Sequence, residues 1–189
     1  QSSQSEGVQQ LDASPDRFVN ISSAAGPEFR QLDISSSEAD ALLAKLAIHC
    51  PFVLFSGGAD ERKNLRRLIK AFAVLPERLQ AKYQLVLAGK MAEGTVRELR
   101  NYANSVSLAP DKLCFTGHVT DHELISLYNL CALYVFPSWH EGFGLPVLEA
   151  MACGAPVIGS NTSSLPEVID FEKAMFDPFD TSSISQKMA

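Results

Sequence analysis

The 189-residue sequence lacks two features that would tie it to a membrane or to nucleic acid. No continuous apolar run approaches the roughly 18 residues that a membrane-spanning helix requires. There is also no excess of basic residues, since 16 Lys and Arg stand against 22 Asp and Glu and give a net charge of −6. Binding to nucleic acid by counterion release and electrostatic attachment to anionic lipid both need a basic face. The composition therefore disfavours nucleic acid as a partner and an electrostatic membrane anchor on this domain.

Motifs of the common cofactor and metal sites are missing as well. No G-x-G-x-x-G follows the first regular strand and no G-x-x-x-x-G-K-[ST] occurs, which disfavours a dinucleotide dehydrogenase and a P-loop enzyme. No Asp-x-Asp occurs, so a metal that clamps a diphosphate is not expected. The four cysteines form no C-x-x-C pair and are not spaced with the histidines as zinc ligands. We expect the four cysteines, Cys50, Cys114, Cys131 and Cys153, to be reduced thiols of a cytosolic protein. The last three lie in apolar segments and are expected to be buried.

Residues 1–17 are rich in Ser and Gln and poor in large apolar side chains, which is typical of a polar tail or linker. They lack the basic-then-apolar order of a signal peptide, and the chain begins without Met, so we expect an excised or processed piece. Residues 18–189 suit one domain of ordinary size, whose regular part covers about residues 50–178.

Short apolar segments alternate with helical patterns along this domain. The predicted strands are 18–21, 52–55, 83–87, 112–115, 133–136, 156–159 and 174–176. The predicted helices are 35–49, 64–75, 94–106, 120–130, 145–153 and a short turn at 164–167, three of which open with a capping-box pattern. From residue 52 onward the strands are unbroken apolar runs, as expected when helices cover both faces of a sheet. The sequence therefore predicts an α/β fold with a doubly wound parallel sheet.

Small residues cluster where the predicted strands end. Gly57 and Gly58 follow one strand, Gly89 follows the next, and Gly117 with His118 follows the third. Ligands of open α/β sheets bind at the carboxyl ends of the strands, and glycine lets the backbone approach a ligand closely. We therefore expect the binding site along this edge, with the histidine forming a hydrogen bond or packing there rather than transferring a proton.

Two glutamates flank the best candidate for an anion site. Glu141 lies in a loop after a strand, and Glu149 lies eight positions later, about one turn into the next helix. Between them Gly142 and Gly144 surround Phe143 just before the helix begins, where free N–H groups and the helix dipole favour a phosphate. Both carboxylates can then accept hydrogen bonds from the hydroxyl groups of a sugar and a ribose. On spacing alone, a loop carboxylate and a solvated helix position remain the alternative.

A second charged cluster, Asp60 to Arg67, opens the first helix of the regular pattern. Basic side chains at the start of a helix oppose its dipole, so propensity alone does not favour them there. A bound diphosphate would explain Lys63 as a point charge and Arg62 as a fork. The alternative is a solvated charged face in which Glu61 pairs with a neighbouring Arg.

These residues resemble the family-4 retaining glycosyltransferases of the GT-B architecture, in particular their C-terminal, donor-binding domain. Four stretches carry the resemblance: 57–64 with its Arg-Lys-Asn, 115–119, 136–158 and 163–168. The third is the most specific, because it contains the family's E-x7-E signature as Glu141 and Glu149. The resemblance implies a Rossmann-like domain that forms one half of a GT-B enzyme.

The resemblance also implies a role for each residue of the site. Glu141 is expected to be catalytic, at the anomeric centre of the donor sugar, and Glu149 is expected to hold the ribose hydroxyls. Lys63, with Arg62 as a helper, is expected to bind the diphosphate. The other donor-binding residues are expected to contact the sugar, the diphosphate or the base, and these are Gly57, Gly58, His118, Val119, Gly142, Phe143, Gly144 and Leu145. The nucleotide-sugar is a substrate, so no cofactor and no metal are expected.

The implied reaction transfers a sugar from a nucleotide-sugar, with retention of configuration, to a glycan or lipid-linked acceptor. Gly58 departs from the family pattern, because many members carry an Arg at that position. Members that lack this Arg and place an acidic residue before Arg-Lys-Asn resemble mannosyltransferases of bacterial surface polysaccharides. The pattern thus favours mannose, from GDP-mannose, as the donor sugar.

Only one of the two domains of such an enzyme is present, so the acceptor-binding domain is expected before residue 1. We expect the isolated chain to bind nucleotide but to turn over poorly. The full-length protein is expected in the cytoplasm, in peripheral association with the inner face of the membrane. Two alternatives stay open, namely a non-catalytic glycosyltransferase-like nucleotide-binding module and another nucleotide-sugar enzyme such as an epimerase.

Overall fold

Six parallel strands form a single sheet in the computed structural model, which describes residues 2–11, 14, 16 and 23–189. The strands are β1 (Phe52–Ser56), β2 (Gln84–Ala88), β3 (Leu113–Gly117), β4 (Leu133–Phe136), β5 (Val157–Ser160) and β6 (Met175–Phe176). Their order across the sheet is β3-β2-β1-β4-β5-β6. The order reverses between β1 and β4, which is the switch point where doubly wound sheets bind ligands. The predicted α/β fold is confirmed.

Helices pack against the sheet and cover its central strands. The helices of the described residues are α1 (Ser2–Leu11), α2 (Ser36–Lys45), α3 (Leu65–Ala73), α4 (Glu77–Lys82), α5 (Glu93–Ser105), α6 (Asp121–Leu130), α7 (Leu145–Ala152), α8 (Leu165–Ile169) and α9 (Thr181–Met188). Every residue of β1 and β2 is buried, including the polar Ser56 at the end of β1 and Gln84 at the start of β2, and the other residues of both strands are apolar, as expected for strands covered on both faces. Among the described residues, no helix has the length and apolar content that crossing a membrane requires.

Two of the three predicted capping boxes are confirmed. At the start of α2 the Ser35 hydroxyl accepts the Glu38 N–H, and the Glu38 carboxylate accepts the Ser35 N–H at 3.0 Å. Thr120 and Glu123 repeat this arrangement at α6. The third prediction is wrong, since α8 forms but Ser164 has helical dihedral angles and its side chain makes no capping hydrogen bond. Its hydroxyl donates instead to a carbonyl oxygen of a neighbouring loop.

The local structure differs from the sequence predictions at three helices, and one further prediction lies outside the described residues. Residues 2–11 form α1 where a polar tail was predicted, since Gln and Glu are good helix formers. The helices α4 and α9 were not predicted, because both are short and largely polar. The predicted strand at 18–21 lies outside the described residues.

The cysteines are free thiols, as the sequence predicted. Cys114, Cys131 and Cys153 are buried and Cys50 is half-buried. Burial raises the pKa of the Cys131 thiol to about 12. This thiol is therefore protonated near neutral pH and packs as a small apolar side chain.

The ends of the first three strands are joined by glycine backbone. The Gly57 N–H donates to the Ala88 carbonyl at 2.9 Å, and the Gly89 N–H donates to the Gly117 carbonyl at 3.0 Å. Gly89 has a φ of +136°, and a Cβ there would lie 2.3 Å from the Gly57 carbonyl oxygen. Only glycine allows this approach, which forms the floor of the carboxyl edge of the sheet.

Candidate functional site at the carboxyl edge of the sheet

Two neighbouring cations and a carboxylate that is distant in sequence meet next to β1 and β4. The Glu141 Oε1 atom lies 2.6 Å from Lys63 Nζ and 2.8 Å from Arg62 Nη1. The side chain of Lys63 is only 10% exposed and that of Glu141 is 12% exposed. The alternative of a solvated charged face, given for the cluster Asp60 to Arg67, is therefore wrong for Lys63. One carboxylate oxygen instead binds both predicted diphosphate ligands.

A buried asparagine positions the turn that carries the two cations. Arg62 and Lys63 belong to a short 3-10 helix, Glu61–Lys63, which ends at Asn64 with a φ of +61°. The Asn64 Nδ2 atom donates to the Pro137 carbonyl at 3.1 Å and to the Pro178 carbonyl at 2.7 Å. Asparagine tolerates this left-handed conformation better than most residues do. The triplet Arg-Lys-Asn thus supplies two charges and the residue that fixes them in place.

Hydroxyl groups from the segment after β5 hold the loop that carries Glu141. The Ser163 hydroxyl donates to the Glu141 carbonyl at 2.7 Å and accepts the Glu141 N–H at 3.1 Å. Ser164 donates to the same carbonyl at 2.9 Å, and Thr162 donates to the Trp139 carbonyl at 3.0 Å. The two serines fall in a stretch that carries the family resemblance, and Ser164 was predicted as a helix cap, but neither of them had a predicted role at the site. The structure shows that they support the backbone of Glu141.

The charges around Glu141 determine its ionisation. Burial by itself would raise the pKa of this carboxyl group. The hydrogen bond from Lys63 and the positive charges of Lys63 and Arg62 outweigh burial, so the pKa lies below its ordinary value of 4.5. Glu141 is therefore an ionised carboxylate at neutral pH, held against two cations.

Replacing Lys63 by Met should destabilise the fold in a pH-dependent way. Because the folded state lowers the pKa of Glu141, its ionised form contributes stability above pH 4.5, and this contribution is lost as the pH falls through the folded pKa. Removing Lys63 raises that pKa and, among the described residues, leaves Arg62 as the one cation paired with the carboxylate. We expect the variant to be about 1–3 kcal/mol less stable at pH 7 and the difference to shrink in acid. Urea unfolding at a series of pH values measures this difference.

The matched control is Lys70→Met, which replaces an exposed lysine of α3. It should change stability little and equally at each pH. A difference between Lys63→Met and wild type that is the same at all pH values would contradict an ionic partnership with Glu141.

Four predicted donor-binding residues line one pocket beyond the ends of β1, β2 and β3. Gly57, His118, Val119 and Glu149 all face this pocket, whose volume is about 270 Å³. Tyr128 of α6 lines it too and was not predicted from the sequence. Glu141, Arg62 and Lys63 are not among its lining residues, so the predicted site divides into a pocket and an adjacent charged cluster.

The carboxylate in the pocket has the opposite electrostatic surroundings to Glu141. Burial raises the pKa of Glu149, and the negative charges of Asp121 and Glu28 add to this effect. A hydrogen bond from the Tyr128 hydroxyl to Glu149 Oε2, at 3.3 Å, opposes it. No cation is a cause of this shift, so Glu149 is suited to accept hydrogen bonds from neutral hydroxyl groups.

The N-terminus of α7 lies between the two glutamates and carries no side-chain cap. Its N-cap is Gly144, with a φ of +102°, and a Cβ there would lie 2.7 Å from Leu165 Cδ2. Gly142 and Leu145 are exposed, and Phe143 is half-buried. The helix end is thus open to a ligand anion as the sequence suggested. Gly58 is half-buried and lines neither the pocket nor the charged cluster.

The described residues contain no group of three or more His, Cys, Asp or Glu side chains that could hold a metal ion. The chemistry that the residues do offer is recognition of hydroxyl groups by two carboxylates and of an anion by two cations and a helix end. A phosphate ester of a sugar or a nucleoside carries both kinds of group.

Comparison with known sequences identifies relatives of the whole chain. A family model described as glycosyl transferases group 1 matches residues 44–189. The serotype-specific mannosyltransferase WbdA of Escherichia coli is 48% identical over 189 residues, which cover all of this chain and 23% of that protein. The O-antigen chain mannosyltransferase B of Escherichia coli is 33% identical over 184 residues, 97% of this chain and 47% of that protein. This chain therefore spans between about a quarter and a half of these curated relatives.

Solved structures share the fold at lower sequence identity. A glycosyltransferase from Rickettsia africae ESF-5 superposes with a TM-score of 0.85 at 17% identity, over 99% of this chain and 50% of that one. Anabaena Alr3699/HepE, solved in complex with UDP and glucose, gives a TM-score of 0.81 at 20% identity, over 97% and 49% of the two chains. This fold is thus that of one half of a GT-B glycosyltransferase. Since the family match begins before β1 and takes in all six strands, the chain belongs to the glycosyl transferases group 1 family.

Proposed function

We propose that this chain is the donor-binding domain of a retaining mannosyltransferase that uses GDP-mannose. The observation that carries the proposal is the arrangement of Glu141 and Glu149 on either side of the open end of α7, with Lys63 and Arg62 on the first carboxylate. Two carboxylates for hydroxyl groups and three positive elements for phosphates match the two chemical halves of a nucleotide-sugar.

Each half of the donor is assigned to a part of the site. In this proposal Lys63, Arg62 and the first turn of α7 hold the diphosphate, and the leaving diphosphate is stabilised by the same groups during transfer. Glu149 accepts the ribose hydroxyls, while His118 and Val119 flank the base at the wall of the pocket.

Glu141 then faces the transferred sugar. Its loop is fixed by the serines after β5, so the carboxylate is held in a defined place instead of moving with the loop. As an ionised group beside the anomeric centre, it can stabilise the positive charge that develops there as the diphosphate departs. The proposed role requires charge, which the lowered pKa of Glu141 supports.

The names of the relatives support mannose as the sugar. WbdA and the O-antigen chain mannosyltransferase B are both mannosyltransferases by name, and the first is 48% identical over the whole chain. Glu61 directly precedes Arg-Lys-Asn and Gly58 replaces the Arg of other members, which is the pattern that led to the same donor. We accordingly propose GDP as the nucleotide.

The relatives are longer than this chain, and this supports an acceptor-binding domain elsewhere in the full-length protein. We propose that the acceptor is a glycan or a lipid-linked glycan, bound across the carboxyl edge of the sheet. A cytoplasmic enzyme that works at the inner face of the membrane fits this acceptor.

Calorimetric titration with GDP, UDP and ADP, each with and without EDTA, tests the proposal. We expect GDP to bind more tightly than the other two nucleotides and EDTA to have no effect, because the cations and the helix end replace a metal. Preference for UDP or ADP would contradict GDP-mannose as the donor, and loss of binding in EDTA would contradict metal independence. Binding of GDP without transfer by the full-length protein would favour the non-catalytic module.

A further inference from the structure

Three buried hydroxyl groups form a chain that ends at Glu149. The Tyr128 Oη atom lies 3.3 Å from Glu149 Oε2 and 2.9 Å from Ser56 Oγ. Ser56 Oγ lies 2.9 Å from Tyr134 Oη in turn. Both tyrosines are completely buried and Ser56 is 5% exposed. No motif in the sequence singled out any of the three.

The number of protons determines which hydroxyl group donates in each of these hydrogen bonds. Each hydroxyl has one proton to donate, and the carboxylate of Glu149 can only accept. If Tyr128 donates to Glu149, it must accept from Ser56, and Ser56 must accept from Tyr134. Burial raises the pKa of both tyrosines, so each keeps its proton near neutral pH.

These hydrogen bonds connect four elements of the fold. Ser56 ends β1, Tyr134 lies in β4, Tyr128 lies in α6, and Glu149 lies in α7. The rings of Tyr128 and Tyr134 meet edge to face with centroids 5.3 Å apart, and Phe29 packs on Tyr128 at 6.3 Å. This packing limits the movement of the Tyr128 ring, and the hydrogen bonds of its hydroxyl orient that group between Ser56 and Glu149.

We propose that Tyr128 is a positioning residue for Glu149, supported by Ser56 and Tyr134. It binds Oε2 from inside the domain and leaves Oε1, which has no hydrogen-bond donor within the described part of the chain, for the ligand in the pocket. The inference rests on the proposed function, because it assigns the ligand of Oε1 to the ribose of the nucleotide. In this arrangement Tyr134 donates to Ser56, Ser56 donates to Tyr128, Tyr128 donates to Glu149, and Glu149 accepts from the ribose.

The ionisation of Glu149 also depends on this contact. The charged or titratable groups near Glu149 are Tyr128 and Asp121 of α6, Tyr134 of β4, Cys153 after α7, Glu28 before α2, Lys90 after β2 and His118 after β3. Asp121 and Glu28 raise its pKa, and the Tyr128 hydroxyl lowers it. Loss of that hydroxyl should therefore raise the pKa of Glu149 further and move the acid limit of nucleotide binding to higher pH.

The test compares GDP with 2′,3′-dideoxy-GDP, which lacks the ribose hydroxyls, as calorimetric ligands of wild type, Tyr128→Phe and Glu149→Gln. We expect Tyr128→Phe to weaken GDP binding about three- to tenfold, as expected for one hydrogen bond, and to leave dideoxy-GDP binding unchanged. Glu149→Gln should lose most of the difference between the two ligands, because its amide can mispair with the hydroxyls. Tyr102→Phe is the matched control, since Tyr102 lies on α5 and does not line the pocket.

The same titrations over a range of pH give the second readout, in which GDP binding by Tyr128→Phe should fail at higher pH than in wild type. If Tyr128→Phe does not fold, Ser56→Ala removes the donor to Tyr128 and should weaken GDP alone by a smaller factor. Equal weakening of both ligands, or no weakening, overturns the positioning role while the proposed function stands. Failure of wild type to bind GDP overturns both.

Discussion

Replacing Glu141 by Ala should lower the turnover of the full-length protein about 100- to 1,000-fold. The expectation follows from its proposed place beside the transferred sugar, where its charge acts only on the transition state. The affinity for GDP should rise several-fold while turnover falls. Without the Glu141 carboxylate, Lys63 and Arg62 are available to bind the diphosphate. Calorimetry and a transfer assay on the same preparation measure the two effects separately.

The two readouts make the outcome for Glu141 specific. Glu61→Ala, an exposed carboxylate in the same turn as Lys63, serves as the control and should change neither value much. Glu141→Gln should resemble Glu141→Ala in turnover, since it also removes the charge. Turnover near that of wild type with weakened GDP binding would move Glu141 from the sugar to the nucleotide.

Replacing Gly89 by Ala should destabilise the domain by at least about 3 kcal/mol. The new Cβ would lie 2.3 Å from the Gly57 carbonyl oxygen, and a φ of +136° is one that alanine rarely adopts. The atoms that the new Cβ would meet belong to the backbone of Gly57, so rotating a side chain cannot relieve the overlap. Urea unfolding gives the loss as a lower midpoint with a similar slope.

Gly94→Ala provides the control for Gly89→Ala. Gly94 lies in the first turn of α5, and a Cβ added to it would meet nothing within 4 Å, so alanine there should stabilise the domain by up to about 1 kcal/mol. If both variants lose stability equally, the tight contact between Gly57 and Gly89 does not determine the effect.

Much of the fold follows from local patterns in the sequence. Unbroken apolar runs located all the strands of the sheet to within a residue or two, because burial on both faces leaves little place for polar residues. The capping boxes at Ser35 and Thr120 fixed two helix starts. The same pattern failed at Ser164, because a carbonyl group distant in sequence competes for its hydroxyl.

The site was only partly predictable, because contacts between residues distant in sequence shape it. The glycines that follow the strands were expected at one edge of the sheet, and Gly57, Gly89 and Gly117 do meet there, since strand direction decides which ends meet. The pairing of Lys63 with Glu141 joins residues 78 positions apart and depends on how two loops pack. Single residues such as Ser56 and Tyr128 have no sequence pattern at all, and their role emerges only when the chain brings them together.

The reach of Asn64 has a practical consequence for anyone who trims this domain for expression or crystallisation. Its amide binds the Pro178 carbonyl just beyond β6, so the turn that carries Lys63 is secured by residues near the far end of the sequence. The helix that follows, α9, contains the buried Ile184 and packs against α3, the helix that begins directly after Asn64. A shortened fragment that stops at β6 would keep every signature residue and still lose one of the two carbonyl groups that hold Asn64, leaving the asparagine amide only the hydrogen bond to Pro137. Boundaries drawn around the motifs alone are therefore too narrow.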